Sequence, residues 1–272
     1  MTTVKVKNGN YYYKLYSDGT KIRQSRKRYD PLHPESIDLK ITNYCENNCA
    51  YCHENSNVDG KYCEYSFLER IFDLPAGVEV AIGGGNPLQH PELLKILKMI
   101  KGRGCIPNIT VNSRNMDDSA ISKIDRYVGA FGVSYSGGYK ELKNGVMHLI
   151  LGIHGPSSIL RYNPERVLLL GYKDVGRGKD FQHRVDLGGS VVQWNEYLKG
   201  KLKHIMAFDN LAIEQLGLGS HGNYMGDDGQ FTFYIDAVKQ QYSKSSCSLN
   251  RHEGNGMKIT EMFKSLNGCD EV

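Results

Sequence analysis

The sequence predicts an α/β protein built on a largely parallel sheet with helices packed against it. Three observations carry this. From Ile37 onward, short apolar strand-like runs alternate with helix-spaced runs. The 272 residues suffice for one large domain or two small ones at roughly 150 residues each. A content of 40% hydrophobic and 24% charged residues is ordinary globular usage, which excludes a coiled coil, a collagen-like repeat or a mostly disordered chain.

In chain order, VKVK and NYYYKLYS lead to Asp18-Gly19, a turn dipeptide, and TKIRQS follows with alternating character, which predicts an N-terminal β-hairpin. DPLHPES over 30–36 holds two prolines and reads as a linker, so the N-terminal hairpin and linker take residues 1–36. Six parallel strands are then expected over 37–44, 78–84, 106–113, 130–136, 146–155 and 166–173. Helices are expected over 64–74, 91–104 and 119–128, the second with Pro91 at its start and Gly104 at its end. Beyond Lys173 the rhythm weakens: 195–203 has weak helical character, and 204–217 suits a strand or a helix. After Gly219 come a glycine-rich loop, one more strand and a polar loop over 243–256. The main unit is thus 37–218, and 219–272 is a C-terminal extension.

The longest apolar stretches, 146–153 and 167–172, are far shorter than the ~20 residues of a membrane span. The N-terminus lacks the apolar run and small-residue cleavage site of a secretory signal, so a cytoplasmic location is expected, with no membrane partner and without disulfides. Net charge is +4, and the one dense basic run, RQSRKR over 23–28, suits either a solvated loop or a contact for phosphate or nucleic acid.

Seven cysteines do not suit a disulfide framework, but they suit a chain in which a subset binds metal. Cys45, Cys49 and Cys52 fall in ITNYCENNCAYCHENS with C-x3-C-x2-C spacing, and Cys63, Cys105, Cys247 and Cys269 are scattered. A zinc site closes four ligands and commonly uses two C-x2-C pairs, and no second pair exists here. Three thiolates fit a [4Fe–4S] cluster with one iron left open for another ligand.

With Tyr51 ahead of the last cysteine, the motif resembles that of the radical S-adenosylmethionine (SAM) superfamily, C-x3-C-x-aromatic-C, which follows the first strand. The resemblance covers about residues 37–175 and extends to compact uncharacterised bacterial and phage members. It implies a partial (β/α)6 TIM-like barrel over 37–218, with the N-terminal β-hairpin extension and the C-terminal extension flanking it. It also implies a [4Fe–4S] cluster whose open iron is chelated by SAM, reductive cleavage of SAM to a 5′-deoxyadenosyl radical, and hydrogen abstraction from a substrate.

Further residues follow that pattern. AIGGGNPLQHPEL looks like the glycine-rich motif that holds the methionyl ammonium, carried by Gly83, Gly84 and Gly85, with Asn86 where the family often has glutamate. Glycine there lets backbone approach a ligand without a Cβ in the way. NITVNSR is similar to the family's third-strand ending and offers Asn112 and Ser113. VSYS offers Ser134 and Ser136 on one face by period two. LILGIHG resembles the fifth-strand adenine-binding pattern, with Gly152, Ile153 and His154 as candidates. Lys173, Asp174 and Arg177 leave the sixth strand in a loop that either faces substrate or is a surface turn. His53 and Glu54 follow the cluster motif and either contact SAM or substrate or cap the loop.

The leading reading is a radical SAM enzyme acting on a small molecule or nucleotide, with a peptide or protein substrate as the second arm and a reductant such as flavodoxin or ferredoxin. The catalytic residues on the substrate side are not assigned by the sequence. The alternative class is a non-catalytic iron–sulfur or zinc protein with a redox-sensing or nucleic-acid-binding role, using the basic run.

Overall fold

Alternating side chains sort the chain into two sheets in a computed structural model that describes residues 3–16, 20–25, 27–142, 144–200, 203–220 and 229–267. The first sheet holds β1 (Thr3–Asn8), β2 (Tyr11–Tyr16) and β3 (Lys21–Gln24), antiparallel and in that order. The hairpin is therefore three-stranded; the Asp18-Gly19 turn lies outside the described residues. Tyr11 and Tyr13 are buried, and Glu35 ties this sheet to the rest of the chain. The Tyr11 hydroxyl donates to Glu35 Oε1 at 2.7 Å, and Arg23 Nε donates to the same oxygen at 2.8 Å.

The main sheet begins with β4 (Ser36–Thr42), followed by α1 (Tyr65–Ile71), β5 (Glu79–Gly84), α2 (Leu93–Gly102), β6 (Ile106–Asn112) and α3 (Asp118–Ile124). Next come β7 (Phe131–Ser134), β8 (Gly145–Ile150), α4 (Ser157–Tyr162) and β9 (Arg166–Leu170). These six strands are the six predicted ones. The chain continues through α5 (Arg177–Phe181), α6 (Leu187–Lys199), β10 (Ile205–Phe208) and α7 (Asn210–Leu216), so the ambiguous 204–217 segment is a strand and then a helix. The weak helix expected over 195–203 starts earlier, at Leu187, where the Asp186 side chain accepts from the Gly189 N–H. Finally β11 (Thr232–Asp236), β12 (Gln241–Ser243), β13 (His252–Glu253) and α8 (Ile259–Asn267) complete the fold. The 243–256 segment, expected as a polar loop, thus carries β13, and residues 221–228 and Cys269 lie outside the described residues.

The sheet order is β10-β9-β8-β7-β6-β5-β4-β11-β12-β13. All neighbours from β10 through β11 are parallel. β12 and β13 join antiparallel. β10 ends the sheet on one side, and the parallel part is an open, partial barrel. The C-terminal residues therefore continue the same sheet on the far side of β4.

Each strand presents one apolar and one polar face, as a side-chain period of two dictates. Ile37, Leu39, Ile41, Val80, Ile82 and Val111 point into the helix-covered core. The opposite face carries Asp38, Lys40, Thr110, Asn112, Ser134 and His148, which line an inner cavity. A parallel sheet buried on both faces reads as continuous apolar runs, and the polar inner face explains why these strands do not. Among the described residues no helix is long and apolar enough to cross a membrane.

Candidate functional site

At the C-terminal end of β4 the chain leaves the sheet as an irregular loop that holds the three clustered cysteines. The Thr42 hydroxyl accepts from the Tyr44 N–H at 2.9 Å, Cys45 N–H donates to Asn57 O at 2.8 Å, and Cys52 N–H donates to Cys49 O at 3.2 Å. Asn48 and Asn55 take left-handed backbone at φ 43° and 55°, which asparagine tolerates better than most residues. Cys45, Cys49 and Cys52 all line one cavity of ≈ 390 Å³. Burial raises the Cys49 thiol pKa, followed by the effects of Cys52 and Cys45, against the opposing charges of Arg114 and Arg177.

Three thiols in one cavity match the donor number of a [4Fe–4S] cluster with one iron left to another ligand; Cys63 and Cys105 lie elsewhere, and Cys247 follows the cavity-lining Ser246. Cys63 and Cys105 are buried in the helix-side core, and burial pushes their thiols up to about 12 and about 11. Among the described residues no three His, Cys, Asp or Glu side chains are grouped to hold a single metal ion; in a [4Fe–4S] cluster each thiolate would instead take a different iron.

The glycine run of β5 passes beside the loop. Gly85 N–H donates to Thr42 O at 2.7 Å and Asn86 N–H to Tyr44 O at 2.8 Å. A Cβ at Gly85 would lie 2.0 Å from Tyr44 O, and one at Gly84, where φ is +116°, would lie 2.3 Å from Thr42 O. At Gly83 a Cβ would meet nothing within 4 Å, and Gly83 lines the cavity. Two glycines therefore let the strand end close on the cysteine loop, and the third leaves room on the cavity side. Asn86 does not line the cavity: it is buried, and its Oδ1 accepts from the Leu88 N–H at 3.2 Å, capping the following turn.

Asn112, Ser134, Ser136, Tyr51 and His154 all line the same cavity. Ser136 lies beyond the end of β7 and meets Asn112 through a 3.0 Å hydrogen bond from Nδ2 to Oγ. The Tyr51 ring sits 6.4 Å from that of His154 and 5.9 Å from that of Phe181. His154 Nδ1 accepts from the Ile150 N–H at 2.9 Å, which leaves the ring proton on Nε2, and burial holds this imidazole down to about 4. Ile153 is not a lining residue; its N–H closes a turn on Ile150 O at 3.1 Å, and Gly152 beside it takes φ +81°. The fifth-strand motif thus reaches the cavity through His154 and Ile150.

Of the other lining groups, Glu54 and Lys173 are among the sequence candidates, and Lys40, His148 and Tyr234 carry no local sequence signal. Lys40 on β4 pairs with Glu54 Oε2 at 2.6 Å and Asp236 Oδ2 on β11 at 3.0 Å, and the Tyr234 hydroxyl donates to Glu54 Oε1 at 2.8 Å. Burial acts to raise the Glu54 carboxyl; the charges of His53 and Lys40 with the hydrogen bonds from Lys40 and Tyr234 outweigh it and lower the pKa. Lys173 lines the cavity and donates to Ser246 Oγ at 2.9 Å, bridging the loop after β9 to the loop after β12. Asp174 is exposed outside the cavity. His148 packs over Gly132, where a Cβ would lie 2.3 Å from its Cε1, and burial lowers its pKa to about 4.

The open parallel barrel, with its loops and cavity at the C-terminal strand ends, is a fold shared with solved structures of SuiB. The chain superposes on SuiB of Streptococcus suis bound to the precursor peptide SuiA with a TM-score of 0.61 at 12% identity, over 89% of this chain and 68% of that one. Against SuiB bound to S-adenosylmethionine the TM-score is 0.58 at 11% identity, over 86% of this chain and 66% of that one. A further SuiB structure gives 0.60 at 9% identity, over 96% of this chain and 86% of that one. No family model and no curated sequence matches the chain.

Proposed function

We propose that this chain is a radical SAM enzyme, with Cys45, Cys49 and Cys52 as ligands of a [4Fe–4S] cluster and SAM lying between the β5 glycines and the ends of β6, β7 and β8. The observation that carries the reading is the convergence of the three motif cysteines and the open face of Gly83 on one cavity. In this reading Gly83 presents backbone to the methionyl end, Asn112, Ser134 and Ser136 meet the polar parts of SAM, and Tyr51 and His154 wall its nucleoside. Asn86 and Ile153 support this surface from behind, through the turns they close. When bound, the cluster supplies an electron to the SAM sulfonium, with flavodoxin or ferredoxin as the class of donor. The chain's own part is to orient SAM and hold substrate toward Lys173, Tyr234 and His148 in a half-open cavity.

A cavity of ≈ 390 Å³ lies at the small end of the range for ligand sites, which favours a small molecule or nucleotide over a bulky substrate beside the cofactor. The likeness to SuiB, one structure of which is bound to a precursor peptide, supports testing the peptide arm as well. Anaerobic reconstitution should load about four irons per chain, and the reduced cluster's electron paramagnetic resonance spectrum should change when SAM is added. Deuterium from labelled metabolite or peptide pools should then enter 5′-deoxyadenosine, and the pool that donates it names the substrate class. A protein that takes up a single zinc, ignores SAM and binds DNA or RNA with a steep salt dependence would instead match the non-catalytic alternative.

A further inference from the structure

Arg177 reaches out of the loop after β9 to three carbonyls of the cysteine loop. Its backbone N–H donates to Cys52 O at 3.0 Å, its Nε to Cys49 O at 2.9 Å and its Nη2 to Ser56 O at 2.8 Å. Its chain neighbours are shaped to allow this. Gly176 takes φ +57°, and a Cβ there would lie 2.4 Å from His53 O; a Cβ at Gly178 would lie 2.2 Å from Lys173 O. No other side chain bridges the carbonyls of two separate turns of the cysteine loop among the hydrogen bonds of the described residues.

The cysteine loop is irregular, so its carbonyls need partners from elsewhere. A guanidinium is a rigid planar fork that is always charged, and its hydrogen bonds to carbonyls are of the stronger, charge-assisted kind. Resting on the reading of Cys45, Cys49 and Cys52 as cluster ligands, we propose that Arg177 is a positioning residue that holds the cysteine loop in its ligand-ready shape before the cluster arrives. It also places a fixed positive charge against the backbone of one ligand, Cys49, and of Ser56, while its neutral backbone N–H holds Cys52 O. Such a charge favours the more negative, reduced cluster, so its removal makes the reduction potential more negative. The residue thereby serves both cluster retention and cluster reduction without touching substrate.

The test compares wild type with R177K, R177Q and G176A, the last of which keeps the guanidinium but forces the two loops apart. In apo protein, hydrogen exchange of amides in 45–57 should speed up by about tenfold or more in R177Q and G176A, the factor that ~1.4 kcal/mol represents. R177K, which keeps the charge and one contact, should fall between them and wild type, and exchange in β5, β6 and β7 should stay unchanged. After reconstitution, chelator should strip iron faster from R177Q, and its midpoint potential should lie below that of wild type, with R177K largely restoring it. Unchanged exchange over 45–57 in R177Q overturns the proposal, as does global unfolding of both R177K and R177Q, since the role is confined to one loop. If wild type takes up no cluster, the radical SAM reading fails, and the exchange comparison still decides whether Arg177 shapes the loop.

Discussion

Gly83, Gly84 and Gly85 are adjacent and chemically identical, yet a side chain at each meets a different obstacle. At Gly84 the backbone is left-handed at φ +116° and the Thr42 carbonyl stands where a Cβ would go. Gly84→Ala should therefore cost about 1–3 kcal/mol or more, seen as a lower thermal midpoint. Gly83→Val projects into the cavity instead, so it should keep the wild-type midpoint within about 0.5 kcal/mol and abolish SAM cleavage. Equal destabilisation by both substitutions would show that Gly83 is merely structural. A pH effect also belongs to single residues. His148 and His154 are held to about 4 by burial, below the ordinary 6.5, so each favours the fold fully above pH 6.5 and loses that contribution as pH falls toward 4. Stability over this window should fall by up to about 1.4 kcal/mol per pH unit for each imidazole. Urea titrations at several pH values should show the slope, and His154→Gln should flatten it by one histidine's share. The glycine triple was legible through its place one strand after the cysteine motif, since alone such a run reads as an ordinary turn. Lys40 was not, because its partners Glu54 and Asp236 are distant in the chain.

Strand β11 decides how the cysteine loop is braced. It lies parallel to β4 and brings Tyr234 and Asp236 to the inner face, where both reach the Lys40–Glu54 pair. Removing Lys40 leaves two nearly buried carboxylates without their cation, so Lys40→Met should cost about 3–5 kcal/mol, measured by denaturant unfolding. A loss below 1 kcal/mol would mean that solvent screens the cluster. On the opposite face, Phe233 is fully buried against α8, its ring 5.8 Å from that of Phe263, and Phe233→Ala should cost about 3–5 kcal/mol. Strands β4 through β9 were readable from their apolar runs and separating helices. The position of β11 was not, since nothing local tells a C-terminal strand which edge to join. Helix α8 carries a readable signal: Ile259, Met262, Phe263 and Leu266 follow the helical i, i+3, i+4, i+7 pattern, and all four are buried. The start of α6 is poorly marked because Gly188 and Gly189 are weak helix formers, and the Asp186 side chain caps the helix all the same.

At the scale of the whole molecule, the barrel is a sheet with a dry outer face and a polar inner one, left open between its edge strands β10 and β13. The Lys173–Ser246 hydrogen bond bridges loops that follow β9 and β12, one from each side of this opening. The sequence motifs already point to one end of the sheet, because each follows a parallel strand, and all parallel strands end on the same side. What they leave undetermined is the far side of the cavity, where Lys40, His148 and Tyr234 come from segments without a motif. The central claim is that this cavity holds a [4Fe–4S] cluster and SAM together, and one measurement addresses it most directly. Wild type and a Cys45→Ala/Cys49→Ala/Cys52→Ala variant are reconstituted anaerobically with iron and sulfide, then given dithionite and SAM, and 5′-deoxyadenosine is quantified by mass spectrometry. The account predicts 5′-deoxyadenosine and methionine from wild type and none from the variant. A wild-type protein with a fully loaded cluster that leaves SAM intact under every reductant would contradict it.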